Sequence, residues 1–375
     1  MKSHQYIWQR PNWTHFTWRS DEVLDLLGKS RLLQGRLLGK VVDQGLTLDP
    51  QAHAEVLAEE TMKTSAIEGE KLDTRSVRSS VARKLGLPSA GLPIDRYVDG
   101  LVAVLLDATQ NHNLPLNVER LCGWQAELFP TGYSGMHKIQ VGVWRGDEPM
   151  QVVSGPLGKE KIHFEAPPSN KIDDEIALFL SWWNTSKSKM EGLIRASIAH
   201  FWFVTIHPFE DGNGRIARAL TDMALAQDDG QKYHYYSLSS QIMEDRSAYY
   251  EILEKCQKGG SDITDWIVWF LGCFSRAIER SEIILSGVFT KAVFWRTHAQ
   301  APLNERQRKV INKLFDVGRD AFEGGLTTRK YSAMTGVSKI TAFRELNRLL
   351  ELGLIKQNPG KGRSVSYDLI WPHTP

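Results

Sequence analysis

The chain has 375 residues, a length that suits two or three domains. Its 42% hydrophobic content fits globular cores, and its net charge of +2 provides no overall field to draw nucleic acid or membrane. Three cysteines, Cys122, Cys256 and Cys273, form no CxxC pair, which argues against a disulfide framework or structural zinc and suits a reduced, cytoplasmic setting.

The start, MKSHQYIWQRPNW, lacks a signal-peptide core. No apolar run reaches the roughly 18 residues of a membrane span, so no membrane contact is expected. Trp8, Trp13, Phe16 and Trp18 are expected to pack this segment onto the body. Val23, Leu26, Leu27, Leu33, Leu37 and Leu38 recur at helical spacing, with Ser20 as the expected N-cap. Asp49-Pro50 reads as cap and first turn of a second helix that runs to Ile67 or Glu68, before Gly69. KLGLPSAGLP (84–93) is a loop, and helices are expected over 94–107 and 115–130. KIQVGVWR, MQVVSG and KIHFEAPP are strand-like, and Gly155-Pro156-Leu157-Gly158 joins the last two into a hairpin. Helical periodicity returns over 171–184 and 190–206, and the second of these is apolar nearly all round, as for a buried central helix. Further helices are expected at about 215–228 and 243–258, with a long one from 262. Ala301-Pro302 marks an expected boundary, followed by three helices and a hairpin.

HPFEDGNGRIAR (207–218) concentrates the chemistry. Gly212-Asn213-Gly214 allows backbone angles that let successive N–H groups converge on an anion. A helix starting near Gly214 would aim its positive end at the same place. Arg215 and Arg218 share a helix face, and guanidinium forks suit phosphate oxygens. Asp211 offers a carboxylate to a Mg²⁺ bound to phosphates. His207 is the nearby group whose ordinary pKa suits proton abstraction at neutral pH. Together these are the parts for transfer at phosphorus, and there is no Walker A loop. The plainer reading is a helix-capping loop with surface arginines.

The stretch resembles the Fic motif, HxFx[D/E]GNGRxxR, with His207, Phe209, Asp211, Gly212, Asn213, Gly214, Arg215 and Arg218 all in place. The resemblance implies a mainly α Fic-domain helical bundle with a β-hairpin flap, and transfer of AMP from ATP to a Ser, Thr or Tyr hydroxyl of a protein, itself included. It implies His207 as the base, Asp211 as the Mg²⁺ ligand, and Asn213 with the glycine amides at the α- and β-phosphates. Arg215 would contact the β/γ region and Arg218 the γ-phosphate, with Phe209 a packing anchor. The GNG sequence counts against Doc-like kinase variants. Residues 140–166 resemble the Fic flap, whose edge would align a target by strand addition. RSAYYEILEKCQ resembles the segment lining the adenine pocket, with Tyr250 against adenine and Gln257 where relatives often carry Asn.

A carboxylate in the last turn of a helix opposes the helix dipole by roughly 0.3–1 kcal/mol, so either the helix before Gly69 ends early or Glu68 has a cationic partner. TSAIEG resembles the Fic inhibitory pattern [S/T]xxxE[G/N], with Thr64, Glu68 and Gly69 in register. That resemblance implies that Glu68 pairs with Arg218, keeps it from the γ-phosphate, and makes the enzyme autoinhibited.

Residues 303–371 carry 13 lysines and arginines against 7 acids, a net +6 in a chain of +2. They read as a winged helix, with Thr327–Thr335 and Lys339–Leu352 as its helix-turn-helix, Ser338 as a cap and 360–363 as wing tip. Lys339, Thr341 and Arg344 would reach DNA; the alternative is a protein-packing module. The expected domains are therefore 1–92 (N-terminal helical region), 93–300 (Fic catalytic domain) and 301–375 (winged helix). The rival functions are a nucleotide-sensing DNA-binding regulator, a de-AMPylase using Glu68 and Asp211, and a transferase with another donor such as UTP. A homodimer is compatible with the sequence.

Overall fold

The computed structural model describes residues 5–43, 45, 50–89, 91–154, 161–231, 233–317, 324–359 and 365–372. The protein is mainly α. It divides into two compact units: Met1–Val42 with Thr47–Glu282, and Asp43–Leu46 with Ile283–Pro375. The first unit is continuous across residue 92, and the second begins inside a long helix rather than at Ala301-Pro302.

In the first unit, α1 (Ser20–Asp43) starts with Ser20 already helical, one residue earlier than a cap there would allow. Its buried stripe is Val23, Ser30, Gln34, Leu37 and Val41. Ser30 belongs to it because its hydroxyl lies 3.0 Å from that of Ser275. Helix α2 (Pro50–Ile67) begins at its proline, where the missing N–H has no intrahelical role; Asp49 lies outside the described residues. Helices α3 (Thr74–Lys84), α4 (Arg96–Gln110) and α5 (Val118–Leu128) are capped by Asp73, Asp95 and Asn117, whose side chains accept backbone N–H groups of the first turn. Helices α4 and α5 cross at Gly100, where a Cβ would lie 1.9 Å from the Glu127 carbonyl oxygen.

Two short antiparallel hairpins follow, β1 (Tyr133–Ser134) with β2 (His137–Lys138), and β3 (Gln151–Ser154) with β4 (Lys161–Glu165). The turn 155–158 lies outside the described residues. KIQVGVWR is a strand only at Lys138. Its amides go elsewhere: Ile139 donates to Gly132 O (3.1 Å), Gln140 to the Glu210 carboxylate (2.9 Å), Gly142 to the Gln125 side chain (2.6 Å) and Arg145 to Pro208 O (2.9 Å). An alternating run whose donors are taken by side chains and a loop cannot also form a ladder.

Next come α6 (Ile172–Ser186), α7 (Gly192–Ile206) and α8 (Asn213–Asp229). Every residue of α7 from Leu193 to Ile206 is buried, as its all-round apolarity predicts. The expected 243–258 helix is two, α9 (Leu238–Glu244) and α10 (Arg246–Gln257). Asp245 breaks it at φ −96°, ψ 23°, and its carboxylate takes a 3.0 Å bond from Gln241 Nε2 and a contact from Arg276. Helix α11 (Thr264–Thr297) follows. The N-terminal aromatics pack as expected: Trp13 is buried and meets Trp202 edge-on, and Phe16 meets Phe201.

The second unit holds α12 (Glu305–Val317), α13 (Thr328–Thr335), α14 (Lys339–Glu351) and the hairpin of β5 (Ile355–Gln357) with β6 (Tyr367–Leu369). Its core joins Phe294, Val310, Ile311, Tyr331, Leu346 and Tyr367. Ser338 caps α14 by accepting from Thr341 N at 3.2 Å. Residues 360–363 lie outside the described residues. Among the described residues no helix is long and apolar enough to cross a membrane.

Candidate active site

Helix α7 must stop at His207, because a proline follows and disfavours helical angles in the residue before it. His207 turns left-handed, at φ 53°, ψ 57°, and with Asn12 it is one of two non-glycine residues with positive φ among those described. Such a residue costs roughly 1–2 kcal/mol and persists where its surroundings hold it. Arg145, 5% exposed, does so: its Nε donates to His207 O at 2.8 Å and its N–H to Pro208 O. The His207 Nδ1 lies 3.1 Å from Val204 O. Nδ1 therefore carries the proton and donates, which leaves Nε2 as an acceptor. Burial holds the imidazole pKa below its ordinary value, so the ring is a neutral base at pH 7.

Phe209 is fully buried and packs on Trp144 with centroids 4.8 Å apart. Asn213 closes the loop: its Oδ1 accepts from Phe209 N at 2.9 Å and its Nδ2 donates to Phe209 O at 2.8 Å. The side chain is 2% exposed and braces the loop. The backbone here also offers donors to an anion. Ile216 N bonds Gly212 O, so the N–H groups of Asn213, Gly214 and Arg215 begin α8 without intrahelical acceptors. Gly212 sits at φ 91°, with the Phe129 ring 3.0 Å from where a Cβ would stand, so glycine is required twice over.

Asp211 accepts from the Ser134 hydroxyl and from Gly212 N, and its side chain is 39% exposed. Among the described residues no group of three or more His, Cys, Asp or Glu could hold a metal. One half-open carboxylate fits a Mg²⁺ that keeps its waters and takes its other ligands from phosphates, and does not fit an all-protein cage. Arg215 is 2% exposed, stacked 4.8 Å over Phe129 and 5.7 Å over Tyr97. Its Nη1 reaches the Tyr97 hydroxyl and, at 3.3 Å, Glu70; its Nη2 lies 3.5 Å from Asp211.

Arg218 is held from α2. Its Nε donates to Thr64 Oγ1 at 2.7 Å, and its Nη2 to Thr64 O at 3.0 Å and to Glu68 Oε1 at 2.7 Å. Burial works against its charge and Glu68 more than offsets this, raising the guanidinium pKa. The dipole problem at Glu68 is resolved on both counts: α2 ends at Ile67, and Glu68 has a cationic partner. Gly69 turns the chain at φ 88° and Glu70 N bonds back to Ser65 O at 3.0 Å. The Glu68 carboxylate sits over the start of α8, 2.2 Å from where a Gly214 Cβ would be.

Tyr250 lies at this junction. Its hydroxyl is 3.4 Å from Ile67 O, to which Arg246 Nε also donates at 2.8 Å. Gln257 is 5% exposed, with Nε2 3.2 Å from Thr205 Oγ1. Strand β4 is braced from the N-terminus: Trp8 Nε1 donates to Glu165 O at 2.7 Å, and Tyr6 meets Phe164 edge-on. Sequence reasoning missed Arg145, Ser134, Glu70 and Tyr97 as parts of the site. Glu70 alone had a local signal, two residues beyond Glu68 of the TSAIEG pattern.

Residues 6–87 match a domain of unknown function (DUF4172), and residues 115–225 match the Fic/DOC family. The chain is 27% identical over 162 residues to a uridine 5'-monophosphate transferase of Xanthomonas campestris, covering 37% of this chain and 29% of that protein. It is 26% identical over 166 residues to protein adenylyltransferase fic-1 of Caenorhabditis briggsae, covering 43% and 30%. This chain therefore spans about a third or less of the length of those relatives. A Fic family protein from Desulfovibrio desulfuricans shares the fold, with a TM-score of 0.60 at 18% identity, over 96% of this chain and 99% of that one. The site around His207 and Arg218 thus belongs to a Fic/DOC-family domain that occupies residues 115–225 of this chain.

Proposed function

We propose that this chain is an autoinhibited protein adenylyltransferase that uses Mg·ATP to place AMP on a Ser, Thr or Tyr hydroxyl of a protein, itself included. The observation that carries the proposal is the Arg218 guanidinium, buried at the start of α8 and held by Thr64 and Glu68. A cation held by its own chain within a phosphate-binding arrangement is what an inhibited enzyme needs.

In the reaction, the target hydroxyl oxygen attacks the α-phosphorus and its proton passes to His207 Nε2. The bond from the α-phosphorus to the bridging oxygen breaks, and pyrophosphate leaves. The free amides of Asn213, Gly214 and Arg215 meet the phosphates, and Arg218 meets the γ-phosphate once Glu68 lets go. Asp211 would hold a Mg²⁺, which when bound would supply charge neutralisation on the phosphates. The β3–β4 flap aligns the target backbone.

The uridine 5'-monophosphate transferase among the relatives favours a second reading in which the donor is UTP. Mass spectrometry of Glu68→Gly protein incubated with Mg²⁺ and either ATP or UTP tests both. An AMP adduct supports the first reading, a UMP adduct the second, and unmodified protein with either donor overturns both.

For the second unit we infer a winged helix, from its element order and its capped α14. Lys339 and Arg344 are exposed at the start of α14 and would face DNA.

A further inference from the structure

Glu68 accounts for one arginine of the motif. The other, Arg215, is confined as closely, and by groups with no assigned role. Its Nη1 donates to the Tyr97 hydroxyl, and that hydroxyl donates to Glu70 Oε2, which also lies 3.3 Å from Nη1. A phenol has one proton to give, so the chain of donors runs in one direction, from guanidinium to phenol to carboxylate. The Phe129 and Tyr97 rings cover the guanidinium faces. Burial holds the Tyr97 phenol pKa above its ordinary value, so Tyr97 stays a neutral relay and Glu70 supplies the negative charge.

Glu70 lies two residues beyond Glu68, on the same turn that ends α2. Gly69, at φ 88°, stands between them. The turn therefore delivers two carboxylates to two arginines one helical turn apart on α8. A guanidinium fork engaged with a carboxylate and a phenol cannot present the same N–H groups to a phosphate.

We propose that Glu70, acting with Tyr97, is a second restraint on the motif: it withholds Arg215 from nucleotide as Glu68 withholds Arg218. Both carboxylates leave together when the turn at Gly69 moves. This rests on the transferase reading above, and it extends that reading from one restrained arginine to two. It also means that substituting Glu68 alone leaves the site half restrained.

The test is a series in the full chain: Glu68→Gly, Glu68→Gly/Glu70→Ala, Glu68→Gly/Glu70→Gln and Glu68→Gly/Tyr97→Phe. Two quantities are measured: the KM for ATP in self-labelling, and equilibrium Mg·ATP binding in the same series carrying His207→Ala. With the Glu70 side chain 38% exposed, its pairing is discounted for solvent, and Glu70→Ala is expected to tighten both by about threefold to tenfold with kcat little changed. Tyr97→Phe keeps the ring under Arg215 and breaks the relay, so a smaller change in the same direction is expected. Glu70→Gln keeps an acceptor and should fall between. If Glu70 instead props Arg215 for catalysis, Glu70→Ala weakens ATP binding or lowers kcat, and the proposal is overturned; an unchanged KM and affinity overturn it equally. Should the alanine variant fold poorly in thermal melts, the glutamine and phenylalanine variants decide. Labelling by Glu68→Gly that is indifferent to Glu70 sinks this inference alone, whereas absence of labelling throughout sinks the transferase reading. Binding still reports the restraint in that case.

Discussion

Exchanging Glu68 for glutamine or glycine separates the charge of the restraint from its shape. In the structure Glu68 Oε1 takes one 2.7 Å bond from Arg218 Nη2, with the glutamate side chain 30% exposed and the arginine 2%. A hydrogen bond to a charged group contributes about 1.5–3 kcal/mol and a neutral one about 0.5–1.5. Partial exposure of Glu68 places this pair toward the low end, at about 2 kcal/mol. Glutamine keeps a neutral acceptor and should lose about 1 kcal/mol; glycine should lose all of it. If Arg218 must leave Glu68 to meet nucleotide, ATP should bind about fivefold tighter in Glu68→Gln and about thirtyfold tighter in Glu68→Gly. Calorimetric titration of Mg·ATP into His207→Ala protein carrying each change reads this without turnover. Equal affinity in all three would refute the reasoning, because Arg218 would then not be exchanged between carboxylate and phosphate. Tight binding in the glycine variant with wild-type binding in the glutamine variant would show that bulk over Gly214, and not charge, excludes the nucleotide.

Other consequences concern the scaffold. Asn213→Ala strands a buried N–H and C=O of Phe209, so a loss of about 2–4 kcal/mol is expected, visible as a lower urea midpoint. Gly100→Ala puts a methyl 1.9 Å from the Glu127 carbonyl oxygen, which must drive α4 and α5 apart; thermal melts should show one of the larger losses of any single methyl addition, and an unchanged Tm would contradict the close crossing. In the proposed mechanism His207 acts as a neutral imidazole, and burial lowers its pKa, so it stays neutral to lower pH than a free histidine. The acid limb of kcat/KM for Glu68→Gly should therefore fall below the ordinary value of 6.5, the more so because the glutamate that raises this pKa is gone. A limb at or above 6.5 would contradict that environment.

How much was legible in advance depended on distance along the chain. HPFEDGNGRIAR could be read because its parts are neighbours and each angle-demanding position is a glycine or precedes a proline. The pairing of Glu68 with Arg218 spans 150 positions, yet a short pattern marked one end and a long one the other. Arg145, Ser134 and Tyr97 are single side chains contributed from 62 to 118 positions away, with no spacing to mark them. The motif resemblance assigns Asn213 to the phosphates and says nothing of what its side chain bonds within the loop. Only the structure shows both ends of its amide bonded to Phe209. KIQVGVWR alternates like a strand, but pattern does not say where amide donors go. The 243–258 helix divides because Asp245 is anchored by Arg276 across the fold, again a contact from outside the segment.

The central claim, a nucleotidyl transfer restrained by the chain itself, is tested most directly by self-modification with α-labelled ATP and Mg²⁺. The comparison is among wild type, Glu68→Gly and Glu68→Gly/His207→Ala. Strong labelling of Glu68→Gly, faint labelling of wild type and none in the double variant is the predicted result. Equal labelling of wild type and Glu68→Gly would contradict the restraint, and no label in any variant that still binds ATP would contradict the transfer.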